Sequence, residues 1–127
     1  MKNIFLIIIL LLFSKCLHND AKHPIFEIIN NSDSIIDSVL IIAHSGTSEN
    51  FDSDTLIFKN LSINKSYKKT LFLENVKSDG VFGYKVYNQG RENYEGGFDY
   101  FTNGASMKKG YILEIRKDTT FSKFIGL

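Results

Sequence analysis

The sequence predicts an all-β protein: an antiparallel β-sandwich, immunoglobulin-like or similar, of seven to eight strands behind an N-terminal leader. Three observations predict it. From Pro24 onward, short apolar and β-branched runs recur, each closed by turn residues. In the clearest runs the period is two: Phe82, Tyr84 and Val86 alternate with Gly83, Lys85 and Tyr87, and Tyr111, Leu113 and Ile115 with Ile112, Glu114 and Arg116. No stretch after Cys16 keeps a helical apolar stripe for three turns. A parallel sheet needs crossovers of about a dozen residues or more, and runs spaced this closely leave no room for them.

The runs in order are 25–29, 35–43, 55–61, 67–73, 81–87, 93–101, 111–116 and 121–125. Asn30-Asn31-Ser32-Asp33 closes the first as a turn cluster. Asp79-Gly80 predicts a turn in which Gly80 takes positive φ at no steric cost, and Asn103-Gly104 predicts a second. Gly96-Gly97 inside a run predicts a bulge that kinks the strand and shifts its register. The sequence carries no internal repeat, low-complexity tract or second domain.

Lys2 precedes an unbroken apolar run, 4–13, which ends at Ser14-Lys15-Cys16; the chain then turns polar at His18-Asn19-Asp20. A run of this length suits the apolar heart of a signal peptide and falls short of the roughly 20 residues that span a bilayer. Phe13-Ser14-Lys15-Cys16 resembles the lipobox of bacterial lipoprotein precursors, with Lys15 departing from the small residue usual there. The resemblance implies lipidation of Cys16, and a boundary scheme of signal peptide 1–15, lipidated tether 16–24 and sandwich domain 25–127. An ordinary secretory signal with an incidental cysteine, and an uncleaved anchor, are the alternatives. Cys16 is the only cysteine, so no intramolecular disulfide staples the domain. A lipid on its sulfur would also remove a reactive thiol from an oxidising compartment.

Charge excludes one class of partner. Leaving out Lys2 and Lys15 takes the formal charge from +1 to −1, with both signs mixed along the chain. Such a balance gives no electrostatic footprint for nucleic acid.

The stretch 58–104 begins Phe58-Lys59-Asn60-Leu61-Ser62, runs through Ser78-Asp79-Gly80-Val81-Phe82 and closes on Phe98-Asp99-Tyr100-Phe101-Thr102-Asn103-Gly104. It resembles small, uncharacterised β-sandwich lipoproteins of Bacteroidota. The resemblance implies a lipid-anchored sandwich at the bacterial envelope, most readily the outer membrane, and no activity, because fold alone does not carry function.

His18, His23 and His44 have no metal-ligand spacing. Glu49, Asp52 and Asp54 are expected in an acidic loop able to offer carboxylates to calcium, but the EF-hand spacing and its glycine are missing. No nucleophile elbow or phosphate-cradling glycine loop is present. Glu95 and Asp99, four apart on a regular strand, would share a face about 13 Å apart, beyond glycosidase spacing. No cofactor is implied. The aromatic residues Tyr84, Tyr87, Tyr94, Phe98, Tyr100 and Phe101 crowd two neighbouring runs; Phe82, Tyr84, Phe98 and Tyr100 are expected in the core, with Tyr87 and Tyr94 outside it as a binding surface. The expectation is a lipid-anchored, non-catalytic binding or assembly module for an envelope protein or glycan. The other reading is a small secreted enzyme or inhibitor with a site assembled from distant loops.

Overall fold

The computed structural model describes residues 22–47 and 50–125. The leader with Cys16 and His18, and Glu49, lie outside the described residues. Among those described there is no helix, and none therefore long and apolar enough to cross a membrane. Nine strands follow in order: β1 (Ile25–Asn30), β2 (Ile36–Thr47), β3 (Asn50–Leu61), β4 (Lys65–Thr70), β5 (Gly80–Asn88), β6 (Arg91–Thr102), β7 (Ala105–Ser106), β8 (Gly110–Ile115) and β9 (Thr120–Ile125). Each of the eight alternating runs overlaps a strand. The ninth, β7, has only two residues, too few to show a period.

The strands form two sheets, ordered β4-β1-β8-β9 and β3-β2-β5-β6-β7. Alternation buries one face of each. Phe26 and Ile28 of β1, with Tyr111, Leu113 and Ile115 of β8, meet Val39, Ile41 and Ala43 of β2 and Phe82 and Val86 of β5. Phe26 contacts Phe82 edge-on at 5.6 Å between centroids and stacks on Tyr111 at 5.1 Å, so aromatic rings fill the centre.

One pairing departs from the antiparallel expectation. β1 and β8 are parallel, Ile25 beside Gly110 and Asn30 beside Ile115. No crossover helix is needed, because the chain between them builds the whole of the opposite sheet and the antiparallel neighbour β4. The domain also begins earlier than residue 25: the amides of Leu71 and Leu73 donate to the carbonyls of Pro24 and Lys22 at 3.0 and 3.2 Å. Residues 22–24, assigned to the tether from sequence, thus belong to the fold.

The turns divide. Asn103 and Gly104 both have positive φ, 51° and 68°, the pattern of a two-residue hairpin turn between Thr102 and Ala105. Gln89-Gly90 does the same between Asn88 and Arg91, a turn the sequence reading missed because glutamine is not a turn signal. Gly80, by contrast, opens β5 without positive φ. Its glycine is required by proximity: a Cβ there would lie 2.2 Å from the His44 carbonyl oxygen and 2.5 Å from the Phe101 ring.

The bulge falls one residue beyond the double glycine. Gly83 pairs with Gly97 but Phe82 with Asp99, leaving Phe98 as the extra residue. This inverts the alternation of β6. Phe98 packs against the core, Asp99 and Phe101 face inward after it, and Tyr100 is turned out, 56% exposed. The expectation of Tyr100 in the core fails for this reason.

Candidate functional site

The expected aromatic surface does not form as one platform. Tyr94 pairs with core residue Val86, packs against the core, and its hydroxyl donates to the Lys117 carbonyl in the β8–β9 connection of the opposite sheet. Tyr84 crosses likewise to the Thr120 hydroxyl. These tyrosines tie the two sheets together. Tyr87 faces the other way, onto the outer surface of the five-stranded sheet, where its hydroxyl donates to Glu92 at 3.0 Å. The two residues thus lie on opposite faces of one sheet.

The acidic segment is not a loop. Asp52 and Asp54 are in β3, and Asp54 is buried. Its carboxylate accepts the backbone amides of Asn75 and Val76 at 3.0 and 3.1 Å and the Asn75 side-chain amide at 2.6 Å. It thereby pins the 71–79 connection, a structural task that occupies both oxygens. Among the described residues no three His, Cys, Asp or Glu side chains cluster as metal ligands. His23 is exposed and sits 5.0 Å from the ring of Phe72.

Glu95 and Asp99 are separated by the bulge onto opposite faces, rather than sharing one. Glu95 faces outward to Lys85 at 3.4 Å, whereas Asp99 accepts a hydrogen bond from the Tyr111 hydroxyl at 3.0 Å.

What the outer face offers instead is a trough of about 380 Å³. Its floor is the cross-strand glycine pair Gly83 and Gly97, with Ile42 beside Gly83 on β2. His44 and Val81 stand at one end, and Lys85 and Glu95 at the other. Tyr100 is the cross-strand neighbour of Val81 and presents its ring beside the trough.

Two features distinguish this floor. Glycine within a strand costs roughly 0.5–1 kcal/mol against alanine, and neither residue has positive φ that would require it. Packing does not require Gly97 either: a Cβ there would meet nothing closer than the Phe82 carbonyl oxygen at 3.7 Å, ordinary contact, while at Gly83 the nearest atom is the Gly96 oxygen at 3.3 Å. The bulge at Phe98 adjoins the pair and a Cβ on Gly83 would be tight, but Gly97 has room for one; together the two leave a bare stretch of strand that something from outside can approach.

The polar end is pre-arranged. The Lys85 ammonium bonds Glu92 at 2.9 Å and Glu95 at 3.4 Å. The hydrogen bond that Lys85 donates to Glu92 raises the Lys85 pKa, and the same bond holds the Glu92 carboxyl below its ordinary value. The group is thus charged at neutral pH and offers donors and acceptors side by side. The sequence signal that could have found the site is Gly83 facing Gly97, visible only once the register of β5 on β6 is known.

No family model matches the chain, and neither a curated protein nor a solved structure matches it. Its chemistry therefore rests on its own geometry.

Proposed function

We propose that this chain is a lipid-anchored, non-catalytic binding module of a bacterial envelope, of the kind implied by its resemblance to small β-sandwich lipoproteins of Bacteroidota, and that its outer trough takes a segment of envelope glycan. The glycine pair carries the reading, because a floor stripped of side chains on a solvated strand face leaves room for a ligand against backbone. A sugar suits the walls. Val81 and Ile42 supply apolar faces for a pyranose to rest on, with the exposed Tyr100 as the cross-strand neighbour of Val81, while Lys85 and the carboxylates paired with it offer a donor and acceptors. The leader supports the anchor through its short apolar run and Cys16.

Two measurements test this. The mass of the mature N-terminal peptide should show a lipid on Cys16; a peptide starting downstream, without lipid, ends the anchor reading. Titration of soluble envelope glycan fragments into the protein should move the amide resonances of Gly83 and Gly97. Gly97→Val should keep the melting temperature and lose the binding, and a variant that binds like the wild type removes the trough from consideration.

A further inference from the structure

We infer that the rim of the four-stranded sheet from which the N-terminal segment leaves is a membrane-seating surface, resting on the anionic headgroups of the bilayer that holds the anchor. The inference rests on the lipid anchor at Cys16 proposed above. It begins with where the described chain starts. Lys22 is fixed to the rim by the Leu73 amide, at the end of the sheet where β1 and β8 begin and β4 and β9 finish. The six peptide steps from Cys16 to Lys22 span at most about 20 Å at roughly 3.3–3.6 Å each. The far end of β1 and β8 lies about 20 Å further on again, at roughly 3.3 Å per residue. A lipid at Cys16 therefore holds this rim closest to the headgroups, and the opposite end meets them only with the tether fully extended.

The residues along the rim suit that neighbour. Phe72 is 55% exposed at the β4 side, Phe124 53% exposed on β9, and Ile25 44% exposed between them. Cations accompany the rings: Lys22 is exposed beside His23 and Phe72, Lys108 holds its ammonium 5.3 Å from the centre of the Phe124 ring, and Lys109 is exposed next to it. Glu74, two residues beyond Phe72, is exposed as well. Apolar rings flanked by long basic side chains are the composition of an interfacial surface: the rings enter the headgroup boundary while the lysines meet anionic lipid. No single lysine or ring would hold a protein on a membrane. With an anchor already supplying the main attachment, these contacts need only orient the domain.

The orientation has a consequence for the trough. With the rim on the bilayer, the strands stand off the membrane and the outer face of the five-stranded sheet opens sideways rather than into lipid.

The experiment uses the full-length lipidated protein on vesicles of phosphatidylethanolamine and phosphatidylglycerol, treated with a membrane-impermeant amine-acylating reagent and read by peptide mass. Relative to the same lipidated protein in detergent, Lys22, Lys108 and Lys109 should react roughly fivefold or more slowly on the vesicles while Lys59 and Lys65 do not change, about the factor that anionic-surface attraction gives per basic residue. The slowing should vanish in a Phe72→Ser, Phe124→Ser double variant; both rings are more than half exposed, and an unchanged circular dichroism spectrum confirms its fold. Lipid on Cys16 with the two lysine groups changing alike, or a slowing that survives in the folded double variant, overturns the seating surface alone. A Cys16 peptide without lipid overturns the anchor and the seating surface together.

Discussion

Phe98 and Asp99 are consecutive in sequence, yet both meet Tyr111: the Phe98 ring lies 5.3 Å from the Tyr111 ring, edge to face, and the Asp99 carboxylate accepts the Tyr111 hydroxyl at 3.0 Å. Regular strand geometry forbids neighbours from sharing a face; the bulge at Phe98 permits it. Tyr111 thus closes the core with its ring and a polar cluster with its hydroxyl, which also bonds Ser106 at 2.7 Å.

Tyr111→Phe keeps the ring stack and removes the hydroxyl. The expected loss is about 1 kcal/mol, or roughly 4–8 °C in Tm for a domain of this size, measured by thermal circular dichroism. Burial raises the Tyr111 pKa above its ordinary 10, so the unfolded chain gives up this proton first as pH rises. Stability from this residue is therefore intact below pH 10 and falls above it. The wild type should lose stability between neutrality and alkaline pH faster than Tyr111→Phe; equal slopes would contradict the assignment.

Gly80 and Gly97 should answer the same substitution differently. Gly80→Ala drives a methyl into the His44 carbonyl and is expected to cost roughly 1–3 kcal/mol or more. Gly97→Ala makes only an ordinary contact, 3.7 Å from the Phe82 carbonyl oxygen, and should be neutral or stabilising by up to about 1 kcal/mol. Denaturant midpoints for the pair distinguish a glycine needed for packing from one kept for another reason.

Asp54→Ala strips an acceptor from two backbone amides and a side-chain amide in the 71–79 connection, at an expected cost of about 1–3 kcal/mol. Calcium should leave the wild-type Tm unchanged. A rise in Tm with millimolar calcium would return the segment to the metal reading.

Ser45 tests the opposite sign. Its hydroxyl is buried, 3% exposed, with no hydrogen-bond partner, on the inward face that carries Val39, Ile41 and Ala43. Ser45→Ala should raise stability by about 1 kcal/mol, because an unpaired buried hydroxyl is desolvated without return. A fall in Tm would reveal a partner for that oxygen.

The strands were legible from alternation because one face of each sheet is buried, and a period of two is what such a face imposes. The two glycines of the bulge were legible; its effect was not. Which way Tyr100 and Asp99 point depends on one extra residue, and composition does not say whether the irregularity falls before or after Phe98. The same inversion separated Glu95 from Asp99. Tyr94 was misjudged on a different ground: its hydroxyl reaches a backbone carbonyl, Lys117, and no sequence pattern marks a carbonyl as a partner. The trough depends on Gly83 meeting Gly97, a fact of pairing rather than of either residue.

The parallel β1–β8 pair also governs when the protein can finish folding. Asn31 at the end of β1 donates to Glu114, 83 residues later, and β1 has no sheet neighbour at all until β4 has been made. Contacts this remote must await closure of a long loop, which slows folding. A chain leaving a translocation channel N-terminus first would present β1, with Phe26 and Ile28, long before β8 emerged to cover it. Until β8 is made, that hydrophobic strand is an open edge, able to pair with another chain or to be held by a chaperone.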